Sequence, residues 1–136
     1  MTQTEIKTDI EFINSIKIDL DSSKCENIIS YDCSANQDYT FSHVIIATCL
    51  SARHVEAVSQ HVVTFAKSQL RQPDIQNPTN VDGTKHDGWV AVEIKPINAI
   101  VHLFTSEVRE RFALEDLLNK INSKPSNLQD NTEGNQ

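Results

Sequence analysis

The chain has 136 residues, enough for one domain around one buried core. Its 38% hydrophobic and 23% charged fractions, with three Gly, four Pro and one Trp, exclude collagenous, low-complexity and aromatic-repeat proteins. Twelve Lys and Arg against nineteen Asp and Glu give a formal charge of −7, so a long phosphate backbone meets net repulsion and direct DNA binding is disfavoured.

Residues 1–38 carry eight acids against three lysines, a local field that fits a basic protein partner. Within them Ile6, Ile10, Ile13, Ile16 and Leu20 recur at helical steps, predicting an amphipathic helix over roughly residues 5–21. Residues 27–34 and 41–48 are rich in β-branched and aromatic side chains and read as two adjacent strands. Ser51 then offers an N-cap hydroxyl to a second helix over residues 52–70, whose apolar face is Val55, Val58, Val62 and Phe65. Residues 71–88, with Pro73, Pro78, Gly83 and Gly88, read as a long connection that is mobile or shaped for binding.

Residues 89–94 and 99–104 read as a hairpin with Pro96 in its turn, because proline is hard to place inside a paired strand. Strand alternation sends Val90, Val92 and Ile94 to one face and Trp89, Ala91 and Glu93 to the other. Leu114, Leu117, Leu118 and Ile121 predict a short last helix, and residues 122–136 a disordered polar tail after a domain spanning 5–121. The expected fold is α/β, a small mixed sheet with helices packed against it in the order α-β-β-α-β-β-α. No run approaches the about 20 apolar residues of a membrane span, and MTQTEIKTDIEF lacks a signal peptide's regions. Three cysteines without CxxC read as reduced thiols, so the expected location is the cytoplasm.

The candidate chemistry is sparse. His54 and His61 lie about 10 Å apart along a helix, too far for one tetrahedral ion, and His43 and His102 fall on different strands, so no metal is expected. Cys49, Ser51 and His54 imitate a nucleophilic site, but no GxSxG elbow or partner acid accompanies them. GxGxxG and GxxxxGK[ST] are absent, no cofactor is expected, and the Asp19-x-Asp21 pair reads as solvated charge. Trp89 has two readings, core residue or interface anchor, with Arg53 and Arg109 as the other residue type enriched at interface hot spots.

ATCLSARHV (47–55), DGTKHDGWVAVE (82–93), AIVHLFTSEVRERFALEDLL (99–118) and KCENIISYDCS (24–34) together resemble the ribosomal silencing factor family, also called RsfS or Iojap-like. The likeness rests on Ser51, Arg53 and His54 in the first string, Gly83 and Trp89 in the second, and His102, Phe104, Glu107, Arg109, Leu114 and Glu115 in the third. The chain departs from the family pattern at Cys49 for Gly, Leu50 for Thr, Thr105-Ser106 for His-Pro and Leu118 for Trp. The resemblance implies a nucleotidyltransferase-like α/β sandwich without catalysis. It also implies a translational repressor that binds the large ribosomal subunit through ribosomal protein L-fourteen, blocks joining of the small subunit, and is commonly a homodimer. Trp89, Glu93, His102 and Arg109, with Ser51, Arg53 and His54, are the expected partner-binding residues. The competing expectations are a generic homodimeric interaction module and a nucleotide-handling enzyme of the same fold.

Overall fold

The most apolar stretch of the chain takes the centre of the molecule. The computed structural model describes residues 8–70, 77–121 and 124–127. In it His43–Cys49 forms a strand, β2, whose seven residues are all buried. The other elements are α1 (Asp9–Ser22), β1 (Glu26–Asp32), α2 (Ala52–Gln69), β3 (Thr79–Thr84), β4 (Trp89–Ile94), β5 (Ala99–Thr105), α3 (Ser106–Phe112), α4 (Leu114–Lys120) and β6 (Lys124–Asn127). The sheet order is β3-β4-β5-β2-β1-β6. The central β2–β5 pair is parallel and every other pair antiparallel.

A strand hidden on both faces needs cover on both. On one face α1 and α2 bring Phe12, Ile16, Leu20, Val55 and Val62 against Ile45, Val92 and Leu103. On the other, Val108 of α3 and Leu118 of α4 join Tyr31, Val44, Ile46 and Phe104. Mixed α/β architecture is therefore as expected. Among the described residues no helix is long and apolar enough to cross a membrane.

Local chemistry sets the helix starts. Thr8 and Glu11 form a capping box, Glu11 N donating to Thr8 Oγ1 at 3.0 Å and Thr8 N to Glu11 Oε1 at 3.2 Å. Ser51 caps α2 as expected, its Oγ accepting from His54 N at 3.1 Å. In α1 the expected stripe is rotated: Ile10 is 61% exposed while Phe12 is buried and stacks on Phe65, ring centroids 6.2 Å apart. Ile6 lies outside the described residues. Lys17 is buried too, its Nζ donating to Ser30 Oγ at 3.0 Å and to Ser126 O at 3.3 Å.

The element order differs from the expected one at three places. Residues 79–84 of the expected long connection are the edge strand β3, fully registered on β4 from Thr79↔Ile94 to Thr84↔Trp89. Only Thr79 of it is buried, so its backbone pairs while its side chains leave no apolar alternation to read. Residues 71–76 lie outside the described residues. The expected last helix is present as α4, and a further helix, α3, precedes it, separated from it by Ala113, whose φ of 48° is left-handed. α3 buries only Val108 and so lacks a periodic apolar signal. Within the expected tail, residues 124–127 pair with β1 as β6, and Pro125 fits there because an edge strand tolerates a missing donor. The rest of that tail lies outside the described residues.

Gly88 joins a 3₁₀ turn (Lys85–Asp87) to β4 with φ +70°, and its carbonyl accepts from Thr105 N at 2.9 Å. A Cβ there would stand 2.8 Å from Val108 Cγ2 and 2.9 Å from Thr105 Oγ1. Gly88→Ala is therefore expected to cost about 1–3 kcal/mol through overpacking and positive-φ strain, read as a lower denaturation midpoint. An unchanged midpoint would show that the β4–α3 junction is not this tight.

Candidate functional site

Alternation along β4 sends Trp89, Ala91 and Glu93 to the face that carries α3 and α4. Register sets Phe104 opposite Trp89, His102 opposite Ala91 and Ile100 opposite Glu93. The same rows continue into β2, with Thr48 opposite Phe104 and Ile46 opposite His102. Aromatic rings cover this part of the sheet. The Trp89 centroid lies 5.5 Å from Phe104, 5.8 Å from His102 and 4.8 Å from Phe112. Phe104 is buried, Trp89 half-buried, and Phe112, the last residue of α3, is 51% exposed. Trp89 thus belongs partly to both readings: it packs on core Phe104 and meets solvent beside Phe112.

His102 is buried, and its Nδ1 accepts the Trp89 Nε1–H at 3.0 Å. An imidazole that accepts on Nδ1 must be neutral with its proton on Nε2. Burial independently disfavours the charged ring and pushes its pKa down to about 4. His102 orients the indole; a buried, neutral ring with this bond is poorly placed to be a general base.

Arg109 makes internal contacts with its guanidinium. Nε and Nη2 donate to the two Glu115 carboxylate oxygens at 2.9 and 3.0 Å, and Nη1 donates to Asn27 O and Thr48 Oγ1, both at 2.8 Å. Its side chain is 12% exposed, so it clamps α3 to α4, β1 and β2. His54 is also a clamp. Its Nδ1 accepts from Leu50 N at 2.8 Å, which leaves Nε2 to donate to Ser23 O at 2.7 Å. Arg53 is exposed on the first turn of α2. Of the expected partner-binding residues, Trp89, Glu93 and His102 share a face. Ser51, Arg53 and His54 gather at the start of α2, which covers the opposite face. Phe112 and the exposed Leu50 were missed; an aromatic next to a run of charged residues, off the apolar stripe of α4, was the available signal for Phe112.

Because β2 and β5 are parallel, α2 and α3 begin at the same end of the sheet. A groove of about 890 Å³ opens there, with Asp21, Glu26, Glu110, Glu115 and Asp116 on its walls and Arg109 already held by Glu115. Carboxyl ends of strands are the usual ligand crevice of α/β sheets, but this one repels phosphate. Nor do Asp19 and Asp21 act together: Asp19 bonds His61 Nε2 at 3.0 Å while Asp21 lines the groove. Among the described residues no three His, Cys, Asp or Glu are grouped to hold a metal. His43 stands opposite Ala99 and His102 opposite Ile46, so register keeps these two histidines apart.

The chain matches the family model described as "Ribosomal silencing factor during starvation" over residues 7–136. It is similar to the crystal structure of a protein from Chromobacterium violaceum, with a TM-score of 0.67 and 28% identity over 89% of this chain and 93% of that one. A crystal structure of a protein from Bacillus halodurans shares the fold, with a TM-score of 0.60 and 18% identity over 78% of this chain and 92% of that one.

The lowered His102 pKa carries a stability consequence. The unfolded ring takes up its proton near pH 6.5 and the folded ring only near pH 4, so this contribution is complete above pH 6.5 and is lost as pH falls from 6.5 towards 4. The loss reaches about 3 kcal/mol at most. An NMR titration of the folded protein should place the His102 midpoint well below 6.5, and His102→Gln should flatten the pH dependence of unfolding between pH 7 and 5. A His102 midpoint of 6 or above would contradict a buried, neutral acceptor.

Proposed function

The chain belongs to the ribosomal silencing factor family, and from that premise we propose that it is a translational repressor acting by occupancy rather than catalysis. It docks on ribosomal protein L-fourteen of the large subunit, in the cytoplasm, and its volume keeps the small subunit from joining. The observation that carries the docking site is the Trp89–Phe112 pair, two rings 4.8 Å apart with one of them 51% exposed. Exposed aromatics held rigidly beside a packed core are the usual anchors of protein interfaces. His102 and Phe104 fix the indole from below, so little side-chain entropy remains to be lost on docking.

Charge supports a basic protein rather than RNA as the partner. The net charge is −7 and the groove beside α3 is lined with carboxylates, which draws in a cationic surface and repels phosphate. A standard interface needs about 800 Å² from each partner, within reach of a body of this size. The same acidity disfavours a nucleotide-handling enzyme.

The direct experiment is subunit association followed by light scattering, with the pure chain added to separated subunits. Association should fall as the chain saturates the large subunit, and the chain should crosslink to L-fourteen. Normal association at saturation would end the proposal. Phe112→Ala is expected to weaken binding to isolated large subunits about tenfold or more while leaving the melting temperature nearly unchanged, since the ring is largely in water. Trp89→Ala should lower both affinity and stability. Affinity falling steeply with salt, as when several phosphate counterions are released, would instead point to RNA as the docking surface.

A further inference from the structure

Cys25 and Cys49 are both buried, and their sulfurs lie 4.0 Å apart. Glu26 stands opposite Thr48 in the antiparallel β1–β2 ladder, and the two cysteines flank that pair, Cys25 just before β1 and Cys49 as the last residue of β2. From 4.0 Å the sulfurs have to close by about 2 Å to reach the length of a disulfide bond. Cys25 also lines the groove at this end of the sheet, which gives a small oxidant a path to the pair. Cys33 is buried in the other cluster, on the opposite face of the sheet, and serves as an internal control.

We propose that Cys25 and Cys49 form a redox-active dithiol that closes to an intramolecular disulfide on exposure to a peroxide and reopens with a thiol reductant. The Cys49 sulfur, as thiolate, attacks one peroxide oxygen and breaks the O–O bond. Cys49 becomes a sulfenic acid, and the departing hydroxide takes up the proton that the thiol released, leaving as water. The Cys25 sulfur then attacks the Cys49 sulfur; the S–O bond breaks, and the hydroxide leaves as water with the Cys25 proton. Two thiols and one hydrogen peroxide give one disulfide and two waters. The sulfurs are in contact, so whichever is oxidised first has its partner within reach. The shared hydrogen bond, with burial and the nearby Asp19 and Asp21 charges, keeps the proton on Cys25, and the same hydrogen bond favours the thiolate of Cys49.

Closing the bond ties the segment that follows α1 to the end of β2, next to the turn at Leu50 and Ser51 that starts α2. It therefore stiffens the wall of the groove whatever the chain docks on, and the chemistry does not depend on the ribosomal reading.

The test treats the folded full chain with hydrogen peroxide, then denatures, alkylates and weighs it. The expected product has lost two hydrogens, takes one alkyl group, on Cys33, and yields a linked peptide pair containing Cys25 and Cys49. Dithiothreitol should restore three alkylatable thiols, and the oxidised form should melt several degrees higher because its unfolded chain is constrained. Cys33→Ser should still form the bridge, and Cys25→Ser and Cys49→Ser should not. Three free thiols after peroxide, oxygen adducts that survive the reductant, or a bridge that includes Cys33 or a second chain would each overturn the proposal.

Discussion

The parallel contact between β2 and β5, sealed on both faces, is the constraint on which the rest of the molecule depends. β2 is buried along its whole length, and a parallel neighbour must run the same way, so both strands deliver the chain to one end of the sheet. Two faces then need cover, and the next helices divide the task, α2 on one face and α3 on the other. β4 runs back antiparallel to β5 and brings Trp89 level with Phe104 at that same end. The aromatic surface, the acidic groove and the Cys25–Cys49 pair are neighbours because of this arrangement. Gly88 and Arg109 secure it, one by letting the β4 start approach α3 closely and the other by tying α3 to both central-sheet neighbours.

A histidine under a tryptophan calls for an energetic reason, because phenylalanine would pack there without any desolvation of polar atoms. The reason is the indole N–H. A half-buried donor with no acceptor costs about 1–3 kcal/mol, and the neutral His102 Nδ1 supplies that acceptor from inside the sheet. The bond also selects one orientation of the Trp89 ring, which the stack on Phe104 alone would leave free to turn. Core and surface are thus joined through one hydrogen bond, and the exposed edge of the aromatic group inherits the rigidity of the sheet.

Elements whose side chains enter a core were legible in the sequence, and elements held mainly by backbone pairing were not. α2 runs from Ala52 to Gln69, within one residue of its expected span, because Val55, Val58 and Val62 face the sheet and Ser51 caps it. β4 was equally plain, its Val90, Val92 and Ile94 alternation matching burial. β3 and β6 escaped because their sequences, TNVDGT and KPSN, carry no periodic apolar pattern, and what places them is the open ladder of their neighbours. For the site, spacing put Trp89 and Glu93 on one face, but only register could set His102 beside them. Arg109 reads as an interface residue in a linear string; of its four internal hydrogen bonds two go to nearby Glu115 and two to Asn27 and Thr48, distant in sequence.

In the proposed role the acidic and aromatic features act on different stages of one encounter. The carboxylates along the groove and the net charge of −7 extend a field about one Debye length, roughly 8 Å at physiological salt, beyond the surface. Such a field raises the rate at which a basic partner arrives and lowers the rate for phosphate, yet it adds little once contact is made in water. The residence time must come from desolvated apolar contact, and the Trp89–Phe112 edge is the part of the face built for it. A body that blocks by occupancy needs slow departure more than fast arrival. On that ground the fold's effort at this end of the sheet, a buried histidine, a stacked phenylalanine and a clamped helix, is spent on holding two aromatic rings still.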